Sequence, residues 1–277
     1  MLRLVSARCW VRLVAGDRMG DLRVVSSGAG PPVVLLHGFT FDVTMWDDLA
    51  ARLEQEHAVV RYDQRGFGAS PDPVGPYSDV TDLWQVMDSQ RIERAVLVGA
   101  SMGGGLALDA ALSDVDRVGG LVLLGPNLPG GAGDAEFGRW WHMLEQTARS
   151  EGVAAARQLW LSHPLFSFSG GTTAARQRLA SLTQAYRGFH WLHQDPREET
   201  EPAAATRLGE VDAPTLVLVG EHETSLFSSY AHTIAEHVPA ARLEVIPDAG
   251  HMVGLDAPEH TADLMSGFLT SIVGDVL

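Results

Sequence analysis

The strongest constraint on how this chain folds is a rhythm. Short runs of β-branched residues and leucine, at Val33–Leu36, Ala58–Arg61, Ala95–Val98, Leu121–Leu124, Thr215–Val219 and Leu243–Ile246, recur between segments with helical periodicity. The runs are too short for helices and too continuously apolar to have a wet face, so they read as strands buried on both sides. Parallel neighbours of that kind need crossover connections, and the intervening helices provide them. The predicted architecture is therefore α/β, a mostly parallel sheet with helices on both faces. Two earlier runs, Trp10–Val14 and Leu22–Ser26, flank the turn-like Gly16–Gly20 stretch and read as an antiparallel hairpin at the sheet edge, which brings the expected strands to eight.

Between the strands, Trp46, Leu49, Ala50 and Leu53 have helical spacing, as do Leu83, Val86 and Met87 in a helix that Ser78 is placed to cap. Pro258 suits a first helical turn, and Thr261, Leu264, Met265, Phe268, Leu269 and Ile272 then form one stripe able to pack on the sheet. The rhythm breaks from about Asn127 to Arg207, where alanine, arginine and aromatics including Trp140, Trp141, Trp160 and Trp191 replace buried strands. This stretch, 127–207, reads as a helical insertion over the end of a core made from 1–126 and 208–277. At 277 residues, one large domain with an insertion is the natural size.

Charge narrows the partners. The net charge of −15 repels phosphate backbones and anionic lipid, so neither nucleic acid nor a membrane is expected. Cys9 is the single cysteine, which rules out an intrachain disulfide and a cysteine-based zinc or iron–sulfur site. No run approaches a membrane span or a signal-peptide core, and a cytoplasmic location is expected. Self-association into a homo-oligomer stays open.

Chemistry enters at Gly99-Ala100-Ser101-Met102-Gly103, where a G-x-S-x-G pattern lies between the strand Ala95–Val98 and the alanine- and leucine-rich run Leu106–Leu112. Small flanking residues let a strand turn sharply into a helix and expose the serine hydroxyl, so Ser101 is the candidate nucleophile. At a helix start the Met102 N–H and the helix dipole favour a developing oxyanion. His37-Gly38-Phe39 follows the strand Val33–Leu36, and the Phe39 N–H is placed to be the second donor of such a hole. His37 itself reads as an anchor for that loop rather than a base.

The stretches Pro31–Phe39, Asp63-Gln64-Arg65-Gly66-Phe67-Gly68-Ala69-Ser70, Leu97–Gly104 and Asp248-Ala249-Gly250-His251, in this order, make the chain resemble the α/β-hydrolase superfamily, in the branch with a helical cap. Within it the similarity is to esterases, enol-lactonases and haloperoxidase-like proteins. The resemblance implies His251 as the base. It also implies an acid three residues after the glycine ending the penultimate strand, which gives Glu223 in Gly220-Glu221-His222-Glu223. Glu221 is the rival, and Asn127 occupies the other place from which relatives supply a third group. The Asp63–Ser70 motif reads as loop structure. No metal or other cofactor is expected, and Trp140 and Trp141 are candidate pocket residues.

The expected activity is hydrolysis of an ester or lactone of a small to medium apolar carboxylic acid through an acyl-enzyme. Two alternatives stay open: a non-hydrolytic enzyme on the same scaffold, and a ligand-binding sensor that keeps the pocket without turnover.

Overall fold

The computed structural model describes residues 22–168 and 173–276. Among them seven strands form one sheet: β1 (Val24–Ser27), β2 (Pro32–Leu36), β3 (Ala58–Tyr62), β4 (Ala95–Ala100), β5 (Val118–Leu124), β6 (Thr215–Gly220) and β7 (Ala241–Ile246), in the order β1-β3-β2-β4-β5-β6-β7. Only β1 runs antiparallel, against β3, and every other pairing is parallel. All the expected runs from Leu22 onward became strands. Trp10–Val14, the other arm of the expected hairpin, lies outside the described residues.

The helices are α1 (Asp47–Leu53), α2 (Asp79–Ser89), α3 (Met102–Ser113), α4 (Ala135–Glu151), α5 (Val153–Leu161), α6 (Thr173–Thr183), α7 (Phe189–Leu192), α8 (Ser225–His237), α9 (Val253–Asp256) and α10 (Pro258–Val276). Ser78 caps α2, its side chain accepting from the Thr81 N–H at 3.3 Å. The period of two along the strands divides the core. Val34, Leu36, Leu97, Leu121, Leu123 and Val217 face α2, α3 and α8, whereas Val33, Leu35, Val96, Val98, Val122 and Leu216 pack with Ala50 and Leu53 of α1 and with Met265, Leu269 and Ile272 of α10. Those last three are the apolar stripe expected after Pro258.

Between β5 and β6 the described residues form α4 to α7 and add no strand to the sheet. Leu144 of α4, Trp160 of α5, Leu179 of α6 and Trp191 of α7 are buried with the α2–α3 core. The Asp63–Ser70 turn is built as loop structure: the buried Asp63 carboxylate accepts from the N–H groups of Val43 and Ala69, both at 2.7 Å, and Arg65 pairs with Asp82 at 2.6 and 2.8 Å.

The chain runs from β2 outward to β3 and then returns across to β4 on the other side of β2. That reversal makes the carboxyl ends of β2 and β4 the place where an open α/β sheet leaves a crevice. The loop after β2 and the turn after β4 are the two stretches singled out by the sequence.

Candidate active site

Ser101 sits between β4 and α3 at φ 50°, ψ −112°, a conformation that few residues other than glycine adopt without strain. The neighbouring residues explain how it is held. A Cβ on Gly103 would come within 2.1 Å of the Leu36 carbonyl oxygen, so only glycine lets the first turn of α3 sit against β2. The Ser101 N–H donates to the Leu124 carbonyl at 2.9 Å, and its own carbonyl accepts from Gly104 and Asn127 N–H groups, each at 2.9 Å. Asn127 thus ties the chain after β5 to the elbow through its backbone.

His251 follows β7, and its Nδ1 lies 2.7 Å from Oε2 of Glu223, with both side chains almost wholly buried. The carboxylate fixes the proton on Nδ1 and leaves Nε2 as the basic nitrogen. The second Glu223 oxygen accepts from the Thr224 N–H at 2.7 Å and the Thr224 hydroxyl at 3.2 Å. Glu221 is exposed, and one of its oxygens accepts from the Asp248 N–H at 3.3 Å. Gly125, at φ 50°, closes the arrangement: a Cβ there would stand 3.1 Å from Glu223 Oε2 and 3.2 Å from His251 Nδ1. The Phe227 ring covers the imidazole, centroid to centroid 4.5 Å.

The loop after β2 is equally specified. His37 is fully buried; its Nδ1–H donates to the Gly38 carbonyl at 2.9 Å and its Nε2 accepts from the Gln64 N–H at 3.0 Å. Burial pushes its pKa below the ordinary value, so the ring is a neutral bridge within the loop. Thr40, at φ 69°, donates its hydroxyl to the Phe39 carbonyl at 2.6 Å and accepts from the Trp160 indole N–H at 2.9 Å. This bond joins α5 to the loop. Among the described residues, the N–H groups of Phe39 and Met102 have no acceptor, and Met102, as the first residue of α3, is one of the orphan donors of a helix start.

Ser101, Met102, Phe39 and His251 line a cavity of about 540 Å³ together with Phe137, Trp141, Trp160 and Phe227. Trp141 is thus at the cavity wall. Trp140 is not among the lining residues and packs on His163 and Trp160, at 4.1 and 5.3 Å between centroids. One end of the cavity is polar. Arg197 lies 3.2 Å from the Asp79 carboxylate and its N–H donates to Asp195. Burial pushes Asp79 up to about 6, with the Arg197 charge opposing it.

Sequence reasoning missed Gly125, Thr40, Trp160 and Arg197. Only Gly125 left a signal, as a glycine directly after the run Leu121–Leu124. One compact group of metal-ligand type also occurs among the described residues, Glu221, His222 and Asp248, whose ligand atoms lie within 4.8 Å of one another; all three are exposed, and Phe168 stacks on the His222 ring.

A reversing parallel sheet with a strained serine at its crevice and a histidine–carboxylate pair beside it defines the α/β-hydrolase class. The family model described as alpha/beta hydrolase fold matches residues 31–258, and the chain belongs to that family. It is 29% identical over 269 residues to 2-hydroxymuconate semialdehyde hydrolase of Pseudomonas sp., covering 88% of each chain. It is also 29% identical over 261 residues to a Bacillus subtilis protein provisionally named a 2-succinyl-6-hydroxy-2,4-cyclohexadiene-1-carboxylate synthase, covering 88% of this chain and 92% of that one. Among solved structures, a thermophilic esterase from Thermogutta terrifontis superposes with a TM-score of 0.77 at 26% identity, over 91% of this chain and 93% of that one. No helix among the described residues is long and apolar enough to cross a membrane.

Proposed function

We propose that the chain is a serine hydrolase that cleaves an ester or lactone of a small to medium apolar carboxylic acid. The observation that carries this reading is the 2.7 Å His251–Glu223 pair, whose imidazole borders the same cavity as the strained Ser101. A serine hydroxyl is a poor nucleophile at neutral pH and needs a base whose proton affinity is matched to the task. Nε2 of His251 takes the Ser101 proton as Oγ bonds to the ester carbonyl carbon. The carbonyl oxygen then carries the negative charge and accepts from the Phe39 and Met102 N–H groups, at the positive end of α3. The C–O bond to the alcohol breaks as His251 returns the proton to the leaving oxygen. Water, deprotonated by the same Nε2, then attacks the acyl-serine carbonyl; the C–Oγ bond breaks, the proton on Nε2 returns to Ser101 Oγ and the acid is released. Glu223 stabilises the imidazolium in both halves. The mechanism uses the chain's own groups and no cofactor.

Aromatic walls suit an apolar acyl or alkyl portion. The 127–207 segment then acts as a cap that selects substrate, with Trp160 passing its position to the Phe39 loop through Thr40. The Bacillus subtilis relative's name favours one rival, a non-hydrolytic reaction in the same pocket.

Ser101→Ala tests the reading. The variant is expected to keep its far-ultraviolet spectrum and Tm while losing about a thousandfold or more in kcat with p-nitrophenyl esters. Rapid labelling of Ser101 by a fluorophosphonate, abolished in His251→Ala, is the companion result. An unlabelled serine favours a binder, and labelling without ester turnover favours the non-hydrolytic rival.

A further inference from the structure

The Ser101–His251 pair borders two cavities. Besides the aromatic one, a cavity of about 370 Å³ runs between α1 and the α9–α10 pair, and the two have Phe41, Ser101 and His251 in common. We propose that this second cavity is a substrate lobe that takes an unbranched apolar chain of the ester, a proposal that rests on the hydrolase reading. A tetrahedral carbon on Ser101 Oγ carries an acyl substituent and an alkoxy substituent, which must extend in different directions. A nucleophile where two cavities meet gives each of them a place.

The walls identify the ligand class. Met45, Trp46 and Leu49 line one side, and Val253, Leu255 and Ala262 line the other. The Thr261 hydroxyl in this wall is occupied by the Val253 carbonyl at 3.1 Å. Charged groups stand only at the outer end, among the lining residues: Asp48, Arg52 and Glu259 are 85%, 43% and 75% exposed at their side chains, and Arg52 pairs with Glu259 from α1 to α10. The Trp46 indole N–H is buried without a hydrogen-bond partner, and apart from Thr261 the other side chains named in this wall are apolar, so the wall has nothing to pair a buried charge, whereas a methylene chain loses only water. The aromatic cavity differs, because Asp79, Asp195 and Arg197 give it a polar end. The lobe therefore takes the unbranched apolar end of the substrate, and the cavity under α4 to α7 takes the bulkier or more polar end.

The source of the chain is either the acid or the alcohol, and two substrate series separate them: p-nitrophenyl esters of acids from acetate to decanoate, and acetates of alcohols from methanol to octanol. The variants are Leu49→Phe, at a partly exposed position, and Ala262→Leu, at a buried one, so that misfolding of the second does not remove the test. Both fill the lobe. The expected result is a fall of at least about tenfold in the long-to-short ratio of kcat/KM, in the acid series if the lobe holds the acyl chain and in the alcohol series if it holds the alkyl chain. Ratios within about twofold of the starting protein's in both series overturn the lobe. Failure of the parent reading has a different signature, since the starting protein then cleaves neither series. In that event the lobe is judged by quenching of tryptophan fluorescence with bromodecanoate, Trp46 being in its wall. Affinity at least about tenfold weaker in the filled variants supports it, and equal affinity overturns it.

Discussion

Glu223 commits one carboxylate oxygen to His251 Nδ1 and the other to Thr224, so the carboxylate has a single orientation available. Glutamine in its place offers an amide that favours the wrong imidazole tautomer, and Glu223→Gln is expected to lower kcat by about a hundredfold to ten-thousandfold with a smaller change in KM. Glu221 is exposed and accepts from the Asp248 N–H, away from His251, so Glu221→Gln is expected to stay within about threefold. Parallel kinetics on the two variants decide between them, and a reversed ranking sinks the assignment. The sequence brought Ser101 forward through its place between a strand and a helix, and the family resemblance brought forward His251 and Glu223, which the fold sets 2.7 Å apart; the catalytic roles of the three belong to the proposed function. Glu223 was separable from Glu221 only by the register from Gly220, and the longer side chain still meets the imidazole. Residues that act by being absent or by reaching across the fold were not legible. The place of Gly125 after a strand run does not by itself tell that a methyl there would press on the imidazole, and no local pattern marks Trp160 as the partner of Thr40, 120 residues away.

The helix α3 carries Ser101 at its start and Asp109 two turns further on. Oδ1 of Asp109 is buried without a hydrogen-bond partner, and burial pushes the carboxyl up to about 6, with a Thr200 hydrogen bond opposing the shift. A folded-state value above the ordinary 3.8 means that the folded chain holds this proton more tightly than the unfolded one. The contribution to stability is complete below the unfolded value, is lost as pH rises through about 6, and leaves a constant cost above that. Asp109→Asn removes the charge, and its Tm at pH 8 is expected to rise by about 2–4 °C, with the gain vanishing near pH 4. A lower Tm at pH 8 in calorimetry refutes the argument. The strands were legible because burial on both faces leaves a composition that little else produces. The β7 run read like the others, yet β7 is the last strand in the sheet order and only Ile246 of it is buried, with Val245 half exposed. The separate helices α4 to α7 were not read one by one, although Asp134 caps α4 and Gly152 and Gly188, both at positive φ, stand at the starts of α5 and α7.

The whole molecule carries 35 acidic against 20 basic residues. Folding concentrates that charge, and the compact state pays in self-repulsion that salt screens over about 10 Å at 0.1 M. Raising sodium chloride from about 10 mM to about 200 mM is expected to raise Tm by about 2–4 °C, measured by thermal unfolding at pH 8. A flat or falling Tm indicates that the ion pairs, such as Arg65 with Asp82, outweigh the net charge. The backbone angles at Ser101 bear on the same balance from the opposite direction. Glycine adopts φ 50°, ψ −112° more readily than any other residue, so the substitution that best relaxes this turn is the one that deletes the proposed nucleophile. Robustness and chemistry therefore compete at one codon. A library of this chain selected for heat survival alone will drift toward inert winners, and a selection that demands turnover at every round is needed to hold the serine in place.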